Sequence, residues 1–122
     1  MMEIIRELEL DKASHFDTEA LTMLEEIMEN EFPELIQVFI SDSDPRLSAM
    51  QQALDNQDCS GLRELAHSFK GASGNLSALP LAELCFKIEE KARVADLEGV
   101  QDLINRSGTE YQTVKSILLS LV

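Results

Sequence analysis

The sequence predicts an all-α protein, an antiparallel up-down four-helix bundle with an accessory N-terminal helix, in a single domain spanning residues 1–122. Three observations predict it. Leu, Ile, Ala, Glu and Lys recur in a chain with only 5% aromatics and no tryptophan, a usage that favours helices over the β-branched alternation of strands. Apolar residues return three and four positions apart in successive segments. The breaks between those segments are short, and short connections join antiparallel neighbours rather than building a solenoid. A length of 122 residues supports about one domain, with a core that needs neither metal nor disulfide.

Phe16 and Asp17 read as a staple residue and an N-cap before TEALTMLEEIMEN, where Leu21, Leu24, Ile27 and Met28 keep helical spacing. Next comes FPELIQVFISDSDPRLSAMQQALDN, one long helix in which Pro33 suits the first turn and Pro45 should bend or interrupt the pattern. Asp58 or Ser60 can cap a third helix running to about Leu76. Pro80 opens a fourth, LPLAELCFKIEEKARV. From Leu97 to Leu121 the residues Val100, Leu103, Ile104, Tyr111, Val114, Ile117, Leu118 and Leu121 hold helical register despite Gly108. Residues 1–16 form a short helix or fray, with Ile4, Ile5 and Leu8 suggesting that they dock on the bundle.

A formal net charge of −13 repels phosphate backbones and anionic lipid, so nucleic acid and membrane surfaces are poor partners and another protein is the favoured one. The N-terminus, MMEIIRELELDK, lacks the layout of a signal peptide, and no run approaches the roughly 20 apolar residues of a membrane span. Cys59 and Cys85 have no CxxC spacing and no nearby histidine pair, so neither a zinc site nor a disulfide framework is indicated. A soluble, cytoplasmic, monomeric protein is expected.

The stretch AHSFKGASGNLSA, residues 66–78, puts a histidine and a lysine beside two glycines within the third helix. At about 100° per residue, Leu62, Leu65, Ala66, Phe69, Ala72, Ser73 and Leu76 share one arc, and His67 points about 160° away from its middle. Arg63, Lys70, Gly71 and Gly74 lie within about 60° of His67 on that outer face. Each glycine costs about 0.8–1.0 kcal/mol against alanine in an exposed helix interior, so something other than helix stability favours the pair. Removing side chains on both sides of an exposed imidazole leaves a flat patch that another protein's backbone can approach. An exposed imidazole with a pKa near the usual 6.5 is a neutral nucleophile, and Lys70 is a point charge able to lie beside an anion attached to it, a combination that suits phosphoryl transfer. Five of the ten basic residues, Arg63, Lys70, Lys87, Lys91 and Arg93, fall in the 31 residues from 63 to 93, a local positive field for an acidic partner.

AHSFKGASGNLSALPLAELCFKIEEKAR resembles the signature of histidine-containing phosphotransfer (HPt) domains, a histidine followed three and four places later by lysine and glycine and then by small residues. His67, Lys70, Gly71, Ala72, Ser73 and Gly74 match it, and the looser likeness runs over about residues 16–121. Ser77 stands where many members carry another glycine, which bears on the geometry at that helix end. The resemblance implies a phosphorelay intermediate in which His67 accepts a phosphoryl group from the aspartate of one receiver domain and passes it to another. The partners would be receiver domains of a hybrid sensor kinase or a response regulator. It implies no catalytic domain and no cofactor in the chain itself, with Mg²⁺ and the acidic cluster belonging to the receiver, and the absence of a GxxxxGK[ST] motif fits. Glu89, where family members often place a polar residue facing the histidine, is the candidate acceptor for the second imidazole nitrogen; it sits about 80° from the core centre of its helix.

Blander readings stand beside these. Glu89 can equally pair with Arg93 four residues on, and Lys70 can be a solvated charge. His15 reads as a surface residue. Cys85 falls on an apolar arc with Leu81, Leu84 and Ile88 and reads as core. Phe86 points outward, either under the N-terminal segment or as part of a docking surface. With no kinase, receiver or DNA-binding segment in the chain, a stand-alone carrier is expected. The alternative is a helical adaptor that binds through a groove between the second and third helices without phosphorylation. A metal or haem bundle is disfavoured, because His15 and His67 lie on different segments and no Glu-x-x-His pair occurs.

Overall fold

Residues 12–122 are described by a computed structural model, and among them every regular element is helical. The calls on Ile4, Ile5 and Leu8 lie outside the described residues. In chain order the helices are α1 (Thr18–Met28), a 3₁₀ turn (Glu29–Glu31), α2 (Phe32–Asp55), α3 (Cys59–Asn75), α4 (Leu79–Arg93) and α5 (Val100–Ser120). Helix α2 packs on α3, α3 on α4, α4 on α5 and α5 back on α2, which closes a four-helix ring. Helix α1 packs outside it against α2.

The caps set where these helices start. Asp17 accepts the amide of Ala20 at 3.2 Å and opens α1, while Phe16 and Leu21, on either side of the cap, are both buried in the core. Asp58, and not Ser60, caps α3 by accepting the amide of Gly61 at 2.9 Å. Helix α1 ends at Met28, the last residue of its apolar spacing and two short of the end of the segment TEALTMLEEIMEN, because Glu29 takes φ 48° to turn the chain towards α2. Pro45 does not interrupt α2. Both Pro45 and Ser41, whose carbonyl loses its donor, are exposed, so the missing hydrogen bond falls on the solvent side.

The helix ends share a device that composition hides. Helices α2, α3 and α4 each close with a residue of positive φ, Gln57 (54°), Ser77 (59°) and Ala95 (56°). At each, two amides return to the last-turn carbonyls: Gln57 to Leu54 and Asp58 to Ala53, Ser77 to Gly74 and Ala78 to Ser73, Ala95 to Ala92 and Asp96 to Lys91. This is the Schellman motif, here made without glycine.

The core is aliphatic with one aromatic knot. Phe39, Phe69 and Tyr111 meet at centroid distances of 5.8–6.4 Å, which ties α2, α3 and α5 together at about 0.5–1.5 kcal/mol per ring pair beyond burial alone. The Tyr111 hydroxyl donates to Asp44 Oδ1 at 2.6 Å, and Lys115 lies 3.3 Å from the other carboxylate oxygen. On α3 the predicted apolar arc is the buried one: Leu62, Ala66, Phe69, Ser73 and Leu76 are inside, with Leu65 and Ala72 packed against them. That orientation turns the opposite face of α3, with His67, outward.

Candidate functional site

The three-residue connection 76–78 folds α4 back along α3, and these two helices carry the site. His67 projects from the outer face of α3 with 67% of its side chain exposed. Its Nδ1 lies 2.7 Å from Oε1 of Glu89 on α4. Lys70 Nζ lies 2.7 Å from the other oxygen, Oε2, as an ion pair whose angle falls short of a hydrogen bond. One carboxylate therefore holds both the imidazole and the ammonium, and it is itself only 12% exposed.

Burial pushes the Glu89 carboxyl up, but the Lys70 ammonium and the His67 imidazole together outweigh it and hold the group below its ordinary value. An ionised carboxylate only accepts hydrogen bonds, so Nδ1 must carry the proton. The lone pair of the neutral ring is thereby placed on Nε2.

The surroundings of the ring differ from side to side. An open groove of about 550 Å³, lined by Ser60, Arg63, Glu64, His67, Ser68 and Glu89, runs along one flank. On the other, Gly71 and Gly74 leave open space, with nothing within 4 Å of where a Cβ would stand, and neither has positive φ. Their helix would accept any side chain there.

Comparison with known proteins decides the family. The Hpt domain profile matches residues 34–117, and His67, Lys70 and Glu89 all lie inside that span. The chain belongs to the Hpt domain family. Its role is that of a phosphorelay intermediate in two-component signalling, and the family's partners are receiver and kinase proteins of those systems. The structure is similar to that of histidine-containing phosphotransfer protein B (HptB) from Pseudomonas aeruginosa PAO1, at TM-score 0.84 and 39% identity, over 87% of this chain and 92% of that one. It shares its fold with the maize phosphotransfer protein ZmHP2, at TM-score 0.83 and 19% identity, over 98% of this chain and 92% of that one. Among curated proteins no significant match is found.

In this Hpt domain the structure brings Lys70, Glu89 and Arg63 to His67, sets Gly71 and Gly74 one and two turns along the same face of α3, and seats Phe86 against Lys70. Lys87 is not among them. Two residues from Glu89, it is turned about 200° around α4 and lines grooves between α4 and α5 instead. The competing pairing of Glu89 with Arg93 does not form, since Arg93 binds Glu90 at 3.0 Å. Lys91 is likewise taken by Asp96 at 3.2 Å, so the basic segment is more neutralised than its charge count suggests.

His15 is not a free surface residue. Its Nδ1 lies 2.6 Å from Glu110 Oε2 on α5, and only 23% of its side chain is exposed. Ninety-five positions separate the two in sequence, and no local spacing signals such a contact. Cys85 is fully buried, and burial pushes its thiol up to about 12, which makes it an inert core residue. The Phe86 ring, 42% exposed, lies 5.4 Å from the Lys70 ammonium, a contact the sequence left open. Among the described residues no cluster of His, Cys, Asp and Glu could hold a metal ion, and no helix is long and apolar enough to cross a membrane.

Proposed function

We propose that Nε2 of His67 is the phosphoryl acceptor of this Hpt domain. The observation that carries the reading is the exposed imidazole whose Nδ1 is tied at 2.7 Å to an ionised Glu89, leaving the lone pair on Nε2. In the transfer, Nε2 attacks the phosphorus of an aspartyl phosphate on a receiver domain in line with the P–O bond. The N–P bond forms as that bond breaks, and the aspartate leaves as a carboxylate. No proton has to move. The ring becomes cationic with its proton still on Nδ1, and Glu89 sits where it compensates that charge while holding the ring in place. Passing the group on to a second receiver is the same step reversed.

Lys70 supplies positive charge next to the phosphoryl oxygens, and Gly71 and Gly74 clear the surface for the receiver's approach. Arg63 adds charge along the groove. The nucleophile is this chain's contribution, so the domain is a carrier with no catalytic activity of its own and needs no cofactor. Mg²⁺ and the acidic pocket that activates the aspartyl phosphate belong to the receiver. We assign the protein to the cytoplasm as a monomer, where receiver domains are met one at a time.

His67→Gln tests the assignment. Incubated with a phosphorylated receiver domain, the wild type should take up acid-labile label and the variant none, with both melting at the same temperature because the side chain is exposed. Label retained on the variant would move the site to His15, and label absent from both would remove the relay reading from this chain.

A further inference from the structure

Phe86 is an anomaly on the surface of α4. It is 42% exposed and stands outside the hydrophobic core, on the rim of a groove between α4 and α5 that Leu103 also lines. Its ring also meets the ammonium of Lys70, 5.4 Å from the ring centroid. One turn along α4, Glu89 Oε2 holds the same ammonium at 2.7 Å. Lys70 is thus only 31% exposed, although it projects from the outer face of α3.

A lysine on an open helix face samples many rotamers, and ordering it beside a ligand costs conformational entropy at the moment of reaction. Here two contacts from α4 order it beforehand. The carboxylate alone cannot do so without competition, because the same group also binds His67 and becomes the counter-ion of the phosphorylated ring. The aromatic face attracts the cation without neutralising it and offers no anion to compete with a phosphoryl group.

We infer that Phe86 is a positioning residue: its ring keeps the Lys70 ammonium at the edge of the imidazole, ready to contact the phosphoryl oxygens when His67 is loaded. The inference rests on His67 being the acceptor. In a loose transition state the phosphoryl oxygens carry less negative charge than in the intact phosphohistidine, so a well-placed cation favours the intact N–P bond and prolongs its life. Phe86 acts on that lifetime only through Lys70.

Loading His67 with a small phosphoryl donor such as phosphoramidate, and following loss of the label with no receiver present, isolates this effect from docking. Phe86→Leu, which keeps apolar bulk without an aromatic face, should shorten the lifetime about two- to fivefold, the scale of an exposed cation–π contact, and Phe86→Tyr should restore it. In a Lys70→Ala background Phe86→Leu should change nothing further. A wild-type lifetime for Phe86→Leu, or an equal shortening without Lys70, would overturn the inference while leaving His67 as acceptor. A wild type that takes no label on His67 would overturn the acceptor reading and this one with it. Independently of loading, the ε-methylene protons of Lys70 should show an upfield ring-current shift in NMR spectra of the wild type that Phe86→Leu removes; absence of that shift in the wild type would also overturn it.

Discussion

Two histidines of this chain are built alike, and only one of them is proposed as the acceptor. His67 meets Glu89 through Nδ1 at 2.7 Å, and His15 meets Glu110 through Nδ1 at 2.6 Å. Both carboxylates are largely covered, at 12% and 16% exposure, and both arrangements leave Nε2 as the second ring nitrogen. A histidine–glutamate pair alone therefore does not single out His67 as the proposed acceptor. The difference lies around the pair: His67 is 67% exposed against 23% for His15, its glutamate also holds a lysine, and two glycines clear its approaches. At His15 the same chemistry ties the residues just before α1 to α5. The orienting group is common to both; access and a neighbouring cation distinguish the site.

Access should carry the largest effect. Gly71 lies about 40° from His67 on the outer face of α3, with open space around it and ordinary helical dihedrals. Gly71→Gln should leave the melting temperature unchanged or raised, yet cut phosphoryl transfer from a receiver by about 100-fold, because a displacement of about 1 Å in a reacting complex is enough for that loss. Single-turnover transfer and thermal unfolding on the same variant decide it. A large fall in melting temperature would show that Gly71 is a packing residue, and full transfer at unchanged stability would erase the contrast with His15.

The neighbouring cation can be tested through Glu89, the carboxylate shared between imidazole and ammonium. Its folded pKa is depressed, so the stability it contributes is complete above its unfolded pKa of about 4.3 and is lost as pH falls through the lower folded value. The stability difference between wild type and Glu89→Gln should therefore be full above about pH 5 and should close on further acidification. Denaturant unfolding across that range measures it. A difference that persists undiminished to pH 3, or grows, would show that Glu89 is not held as the site's anion.

Much of this was legible in the sequence for one physical reason. Helix faces and caps are local, so Asp17, the buried arc of α3 and the outward turn of His67, Gly71 and Gly74 followed from spacing, and Asp58 was one of the two caps that spacing offered for α3. Contacts between helices are not local. Whether Glu89 would bind His67 or Arg93 depended on the relative register of α3 and α4, which no count along one helix supplies. The same gap hid the pairing of Lys70 with Glu89, the seat of that ammonium over Phe86, the turn of Lys87 towards α5, and the contact of His15 with Glu110. The positive φ values at Gln57, Ser77 and Ala95 were hidden for another reason: the residue type that usually marks such a position is missing from all three.

That last point sharpens the comparison at its smallest scale, because α3 has glycine where its backbone does not need it and lacks glycine where it does. Gly71 is right-handed in open space, whereas Ser77, the left-handed residue that ends the same helix, bears a Cβ. A left-handed conformation costs an ordinary residue roughly 1–2 kcal/mol, part of which glycine returns as lost backbone freedom, so Ser77→Gly should stabilise the domain by about 0.5–1 kcal/mol. Gly71→Ala should stabilise it by a similar amount, up to about 1 kcal/mol, through helix propensity. Each variant should raise the melting temperature by a few degrees, and Ser77→Gly, ten residues beyond His67, should leave transfer untouched. If Ser77→Gly destabilised the domain, the serine would be held in place by its side chain. If Gly71→Ala did, the glycine would be serving the helix itself. With both stabilising, Gly71 stands against the helix's own preference, which is what selection for a receiver's approach, rather than for the bundle, would leave behind.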